Sequence, residues 1–199
     1  MKTVKIYTLK SLVNMLFVLL LLTVACGQPG SSSKAELVNG NDTGTMVETP
    51  EIDIQAAILS GNYEAVEQHI KAGTDIDKKD AMSGSTPLIT AASFGKNKIA
   101  QALIDAGADL TLKNNDGSTA LHAAAFFCRV EIVQMLLEAK ADKTTRNNFG
   151  ATARESVMGP FEEVKPIYIM LQQQLSPLGL QLDLSEIEKT RPVISMMLQ

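Results

Sequence analysis

The sequence predicts an all-α repeat solenoid: about four helix-turn-helix units joined by β-hairpin loops and closed by a helical carboxy-terminal cap. Gly84-Ser85-Thr86-Pro87-Leu88 returns as Gly117-Ser118-Thr119-Ala120-Leu121 and, more faintly, as Gly150-Ala151-Thr152-Ala153-Arg154, each copy displaced by 33 residues. A fixed period of that length means one supersecondary unit stacked on itself. Between these echoes, Ile99, Ala102, Leu103 and Ile104 in one copy and Ile132, Val133, Leu136 and Leu137 in the next recur at the three- and four-residue spacing of a helix with one apolar face. Stacked units of this kind present a surface, so binding rather than chemistry is the expectation.

Ahead of the repeats stands an export signal, residues 1–25. Lys2, Lys5 and Lys10 make a basic start, and Leu12 to Val24 is apolar and uncharged. That run is too short to span a bilayer comfortably, which takes about 20 apolar residues. Leu22-Thr23-Val24-Ala25-Cys26, followed by Gly27, resembles the lipobox of bacterial lipoproteins, in which the cysteine becomes the first mature residue and its sulfur carries a diacylglycerol. The family prefers Leu three residues before the cysteine, where this chain has Thr23, and a plain cleaved secretory signal would end in a similar small residue. The lipobox resemblance implies attachment to a membrane at Cys26, in a bacterial cell envelope and facing the periplasm, with inner or outer membrane undecided. Residues 26–50, rich in Gly, Ser, Thr and Asn without apolar periodicity, read as the lipidated cysteine and a flexible linker.

Charge and cysteine content narrow the partners. The chain carries a net charge of −4, and loss of residues 1–25, which hold three lysines and no acid, takes it to −7. An acidic surface disfavours nucleic acid and anionic membrane surfaces alike, leaving lipid as the means of attachment. Cys26 and Cys128 are the two cysteines. With Cys26 consumed as a thioether, Cys128 is a single thiol, either buried and inert or free to pair with another chain.

The repeats are read as residues 51–82, 83–115, 116–148 and a partial 149–160. Thr86 suits a helix N-cap and Pro87 the first helical position, where its missing N–H costs nothing. Gly84 and Gly117 permit a tight turn with positive φ. Paired alanines allow close helix approach, and Leu88 and Leu121 fill the space between units. Second helices should end at Gly107 and Lys140. Lys140 and Cys128 occupy columns that favour glycine, where a side chain at positive φ costs about 1 kcal/mol or more. The first unit, Ile52 to Lys79, lacks the Thr-Pro-Leu segment, and the 34-residue spacing of Gly61 to Gly95 places one inserted residue around Asp80 to Ser83.

A period of about 33 with Thr-Pro-Leu-His-x-Ala is the pattern of ankyrin repeats. Thr86-Pro87-Leu88-Ile89-Thr90-Ala91-Ala92 and Thr119-Ala120-Leu121-His122-Ala123-Ala124-Ala125 resemble it, with Ile89 in the histidine column. The resemblance covers residues 51 to 160 and implies that His122 bridges neighbouring repeat loops. Beyond it, residues 161–199 are read as the cap: a helix delimited at its start by Pro160 and Pro166 and carried by Ile167, Met170 and Leu171 to Leu175, then a short helix opened by a capping box at Ser185 to Glu188, with Pro192 kinking or restarting it. Leu182-Asp183-Leu184 with Thr190-Arg191-Pro192 is similar to the tails of short bacterial ankyrin proteins.

No catalytic or metal site emerges. The mature chain has two histidines, His69 and His122, and lacks Cys-x-x-Cys, His-Glu-x-x-His, a Gly-rich phosphate loop and Gly-x-Ser-x-Gly. His69, near Glu64, Glu67 and Lys71, reads as solvated, and Asn115-Asp116-Gly117 as a turn rather than a calcium loop. Neither a cofactor nor a small-molecule substrate is expected. The resemblance implies a protein partner in the concave groove of hairpin tips and first helices: Met82, Ser85, Asn115, Asp116 and Phe149 on the tips, Phe94, Phe126, Phe127 and Arg129 on the helices. Phe94 and Phe127 share a column, and four phenylalanines on one side would make an aromatic anchor; packing in the core is the competing reading of each. The function so read is a non-catalytic, membrane-anchored binding module. The alternatives are an inhibitor or immunity protein for a periplasmic toxin or enzyme, and a structural lipoprotein that associates with itself.

Overall fold

The computed structural model of the chain describes residues 49–199. The export signal, Cys26 and the linker up to residue 48 lie outside these. The described residues form eight α-helices and no strand: α1 (Ile54–Ser60), α2 (Tyr63–Lys71), α3 (Pro87–Phe94), α4 (Asn97–Asp105), α5 (Ala120–Phe126), α6 (Val130–Glu138), α7 (Phe161–Leu175) and α8 (Leu184–Met197). The first six make three antiparallel pairs, with α1, α3 and α5 stacked on one another and α2, α4 and α6 stacked behind them.

Each first helix begins at a side-chain cap. The Asp53 carboxylate accepts from the Gln55 N–H, the Thr86 hydroxyl accepts from the Ile89 N–H, and Thr119 and His122 form a reciprocal capping box. Each ends in left-handed backbone, at Gly61, at Gly95 and, as expected from its column, at Cys128 with φ 54°. Second helices close the same way at Gly73, Gly107 and Lys140, the last with φ 66°. Between the stacked first helices, Ala91, Ala92, Ala124 and Ala125 are fully buried and Leu88 and Leu121 nearly so. Small side chains let the helices approach closely, and burying each leucine stabilises the stack by about 1.5–3 kcal/mol.

The loops between units carry the register. In the second, the Asn114 N–H donates to the Ser118 carbonyl; in the third, the Asn147 N–H donates to that of Ala151. In the first the equivalent bond runs from Asp80 to Ser85, one residue further, so the inserted residue is absorbed inside the turn. Asp80 stands in for Asn114: its Oδ1 accepts from the Met82 and Ser83 N–H groups and its Oδ2 from the Ser85 N–H. Desolvation pushes that carboxyl up, but the hydrogen bonds from Ser83, Met82 and Ser85 together outweigh it and hold its pKa below the usual value. Neighbouring loops are tied by Asn115, whose N–H donates to the Ser83 carbonyl (2.9 Å) and whose Nδ2 donates to that of Met82 (2.9 Å). Asn148 repeats both bonds onto Asp116 and Asn115. Each asparagine leans over the preceding loop's glycine, so a Cβ at Gly84 or Gly117 would press into the Asn115 or Asn148 amide.

After Gly150 the repeat breaks down. The fourth unit keeps its loop, but its first helix shrinks to one 3₁₀ turn, Glu155–Val157. α8 packs on that turn and on α6, placing Ile194 and Leu198 in the main core. Two expectations for the tail need correction. Pro166 lies inside α7 rather than at its start, and α8 is capped not by Ser185 but by Asp183, which accepts from the Ser185 and Glu186 N–H groups. Pro192 also sits within a continuous α8. Both prolines are exposed, and packing of the opposite helix face holds the helix through each missing hydrogen bond.

Two glycine-column substitutions should act in opposite directions. Gly117→Ala, with φ 71° and a neighbouring amide in the way, should lower stability by about 1–3 kcal/mol. Lys140→Gly, which relieves a left-handed side chain, should raise it by up to about 1 kcal/mol. Urea midpoints measure both, and an unchanged midpoint for Gly117→Ala would contradict this account of the loops.

Candidate protein-binding site

The structure divides the predicted binding residues between the two ends of the first helices. Met82, Asn115, Asp116 and Phe149 lie on the loop tips, at the amino-terminal ends, with Met82 65% and Phe149 41% exposed. Phe94, Phe126, Phe127 and Arg129 lie at the carboxy-terminal ends of α3 and α5 or just beyond, about 10 Å away along seven- or eight-residue helices. The four phenylalanines therefore do not converge. Ser85 is also no surface residue: it is buried in its turn, its Oγ hydrogen-bonded to the Ser83 Oγ at 2.8 Å.

The aromatic end is covered by the tail. Tyr168, fully buried, stacks on Phe126 with ring centroids 4.7 Å apart and donates its hydroxyl to the Phe126 carbonyl at 2.7 Å. With Leu180, Leu182 and Ile187 it forms a second apolar cluster, against which Phe94, Phe126, Phe127 and Cys128 are half-buried. Arg129 lies over Gly95, donates to the Ser93 carbonyl at 3.3 Å and reaches that of Gln181 at 3.5 Å. Arg191, 2% exposed, donates to the Tyr168 hydroxyl and to the Gly159 carbonyl, both at 3.1 Å. Tyr168 is the residue that sequence reasoning missed. Phe161, Val164, Tyr168 and Leu175 all join this cluster, and their spacing of three, four and seven residues was a legible stripe beside the one led by Ile167.

The tip row remains open and is built as a rigid unit. The asparagine ladder fixes each tip to the next, and Lys79 and Lys113 extend their ammonium groups to the backbone carbonyls of Lys113 and Arg146 at 2.6 and 3.0 Å. The backbone of such tips is already ordered before a partner arrives, which lowers the ordering cost of association. Asp116 brings acidity to the middle tip; partial desolvation of its carboxyl raises its pKa although the residue as a whole is exposed.

Both histidines are structural. His122 Nδ1 accepts from the Thr119 N–H at 3.3 Å and lies 2.9 Å from the Thr119 hydroxyl, while Nε2 faces the Ala151 carbonyl of the next unit at 3.1 Å. That geometry requires the neutral tautomer protonated on Nε2. His69, expected in solvent, is instead buried: Nε2 meets the Ile52 carbonyl at 2.7 Å and Nδ1 the Thr74 hydroxyl at 3.1 Å, tying the amino-terminal edge to the loop after α2. Cys128 sits beneath α8 with Sγ 3.8 Å from the Ile187 carbonyl, and burial pushes its thiol up to about 11. At neutral pH it is protonated and half-buried, which makes it a poor nucleophile for exchange with another chain's thiol. Among the described residues no group of three or more His, Cys, Asp and Glu could hold a metal ion.

Desolvation lowers the His122 pKa below its ordinary value of 6.5. The unfolded chain therefore takes up a proton at about pH 6.5 that the folded chain refuses. Stability from this residue is intact above that pH and falls as the pH drops toward the folded-state value, by at most about 1.4 kcal/mol per pH unit. Thermal unfolding between pH 7.5 and 5 should show that slope in the parent chain and lose it in His122→Gln, whose stability is lower at every pH.

Comparison with known proteins agrees with this geometry. A family model described as ankyrin repeats, three copies, matches residues 54–147. Protein phosphatase 1 regulatory subunit 27 from Homo sapiens and its counterpart from Mus musculus are each 45% identical to this chain over 63 residues, 32% of the chain. The match spans 40% of the length of those relatives. Among solved structures, the crystal structure of the ankyrin repeat domain of Bcl-3, described as a unique member of the IkappaB protein family, is similar with a TM-score of 0.50 and 29% identity, covering 52% of this chain and 45% of that one. Three stacked helix pairs, their asparagine-tied loops and these matches together show that residues 54–147 are an ankyrin-repeat domain.

Proposed function

We propose that this chain is a non-catalytic protein-binding module of the bacterial cell envelope, anchored to a membrane by lipid at Cys26 and facing the periplasm, with a protein partner docked on the loop tips. The observation that carries the binding half is the pre-organised tip row, in which Met82, Asn115, Asp116 and Phe149 stand exposed on a ladder of inter-loop hydrogen bonds. Three tips spaced by roughly 8–10 Å, the usual separation of packed helices, make a small surface suited to a single partner. Met82 and Phe149 stand as apolar anchors at either end of the row, and methionine and phenylalanine are enriched at interface cores. The lipobox-like Leu22 to Cys26 and the low-complexity linker support the anchoring half.

A narrower reading has one observation in its favour. The relatives matched over 63 residues are named as regulatory subunits of a protein phosphatase, which supports a partner that is an enzyme and a role as its inhibitor or modulator.

Photo-crosslinking tests the surface. A photoreactive side chain placed at position 82 or 149 should yield one adduct of common mass from cells, whereas position 134, exposed on α6, should yield none. Adducts from position 134 alone would sink the proposed face. For the anchor, Cys26→Ser should move the protein from the membrane to the soluble fraction and abolish incorporation of labelled fatty acid; retention of both would dismiss lipidation at Cys26.

A further inference from the structure

We propose that α7 is a displaceable strap: it occupies the aromatic end of the repeats from within and opens as a unit, about Gly159-Pro160 and Gly179, while α8 stays docked. The two tail helices are held very differently. α8 has the Asp183 cap and buries Ile187, Thr190, Arg191 and Ile194, with Ile194 and Leu198 inside the core of the repeats. α7 begins at Pro160 with no side-chain cap, carries Pro166 in its interior and buries one side chain completely, that of Tyr168. A helix so short of caps and burial owes its place to tertiary contacts rather than to its own stability. Segments of this kind open locally at free energies well below that of global unfolding.

The ends of α7 fit a hinge. Gly159 precedes Pro160 and Gly179 holds φ 91°, and glycine has access to more backbone conformations than any other residue. Between these points a single polar relay latches the helix. The Tyr168 hydroxyl donates to the Phe126 carbonyl and accepts from the Arg191 guanidinium, so one side chain joins the strap to α5 and to α8. Arg191 also holds the Gly159 carbonyl at the hinge itself. Lifting α7 breaks this relay and the Tyr168–Phe126 stack and uncovers the Phe126 ring, while Phe127 stays beside Leu182 and Ile187. The strap is separate from the tips, and the inference stands whether or not the tips bind a partner.

Hydrogen exchange followed by mass spectrometry on the full chain tests this directly. In the parent protein the amides of residues 167–175 should exchange together and on the order of 100-fold faster than those of α3 and α5, while the second half of α8 keeps the protection of the repeats. Tyr168→Phe, which keeps the ring and removes the latch, should speed exchange in α7 about tenfold and leave α3, α5 and α8 unchanged. Exchange of α7 in step with α5 or with α8 overturns the strap. A Tyr168→Phe chain with unchanged α7 exchange, or with every helix accelerated alike, overturns the latch.

Discussion

Close approach of α3 and α5 across fully buried alanines sets the spacing on which the other contacts depend. Only at that separation can one asparagine side chain span from its own loop to the backbone of the preceding one, and only there does the His122 imidazole reach the Ala151 carbonyl. A larger side chain in the alanine columns would force the helices apart and break the loop ladder with them. The glycines beneath Asn115 and Asn148 belong to the same constraint, because the amide lies where a Cβ would have to be.

From this spacing follow two surfaces with different fates. At the amino-terminal ends of the first helices, hydrogen bonds between loops consume backbone groups and leave side chains facing outward, so the tips are ordered and open. At the carboxy-terminal ends the helices finish in phenylalanines, which no fourth full repeat is present to cover. The tail covers them instead, with Tyr168 as the ring that stacks and Arg191 as the buried cation that orients its hydroxyl. A guanidinium 2% exposed and paired here with a hydroxyl and a carbonyl is desolvated without the compensation of a carboxylate. Its placement, bridging α8, α7 and the Gly159 hinge, makes it a fastener of the tail rather than part of the repeats.

The strained positions are consistent with this division. Cys128 and Lys140 hold left-handed backbone without being glycine, and both lie where a neighbouring structure over-determines them. Cys128 is gripped between the two apolar clusters, under Ile187. Lys140 lies in the tight turn after α6, where its N–H donates to the Leu137 carbonyl and the following Ala141 N–H to that of Leu136.

Much of the repeat was legible in the sequence because its determinants are local. Thr86 and Thr119 cap helices with their own side chains, Gly84 and Gly117 turn where only positive φ fits, and the 33-residue echo fixes which residues stack on which. The inserted residue near Asp80 could be counted from spacing alone, although only the loop bonds show that Asp80 takes over the part of Asn114. Tertiary structure decided whatever depended on segments far apart in the chain. His69 is buried because Ile52 and Thr74 close over it, Phe94, Phe126 and Phe127 are covered because residues 161–187 fold back across them, and Phe149 stands apart because a helix length separates it from the other three. Periodicity determines which face of a helix is apolar. What comes to lie on that face is settled by chain reversal at Gly159-Pro160 and Gly179, for which the sequence carries only the permission and not the direction.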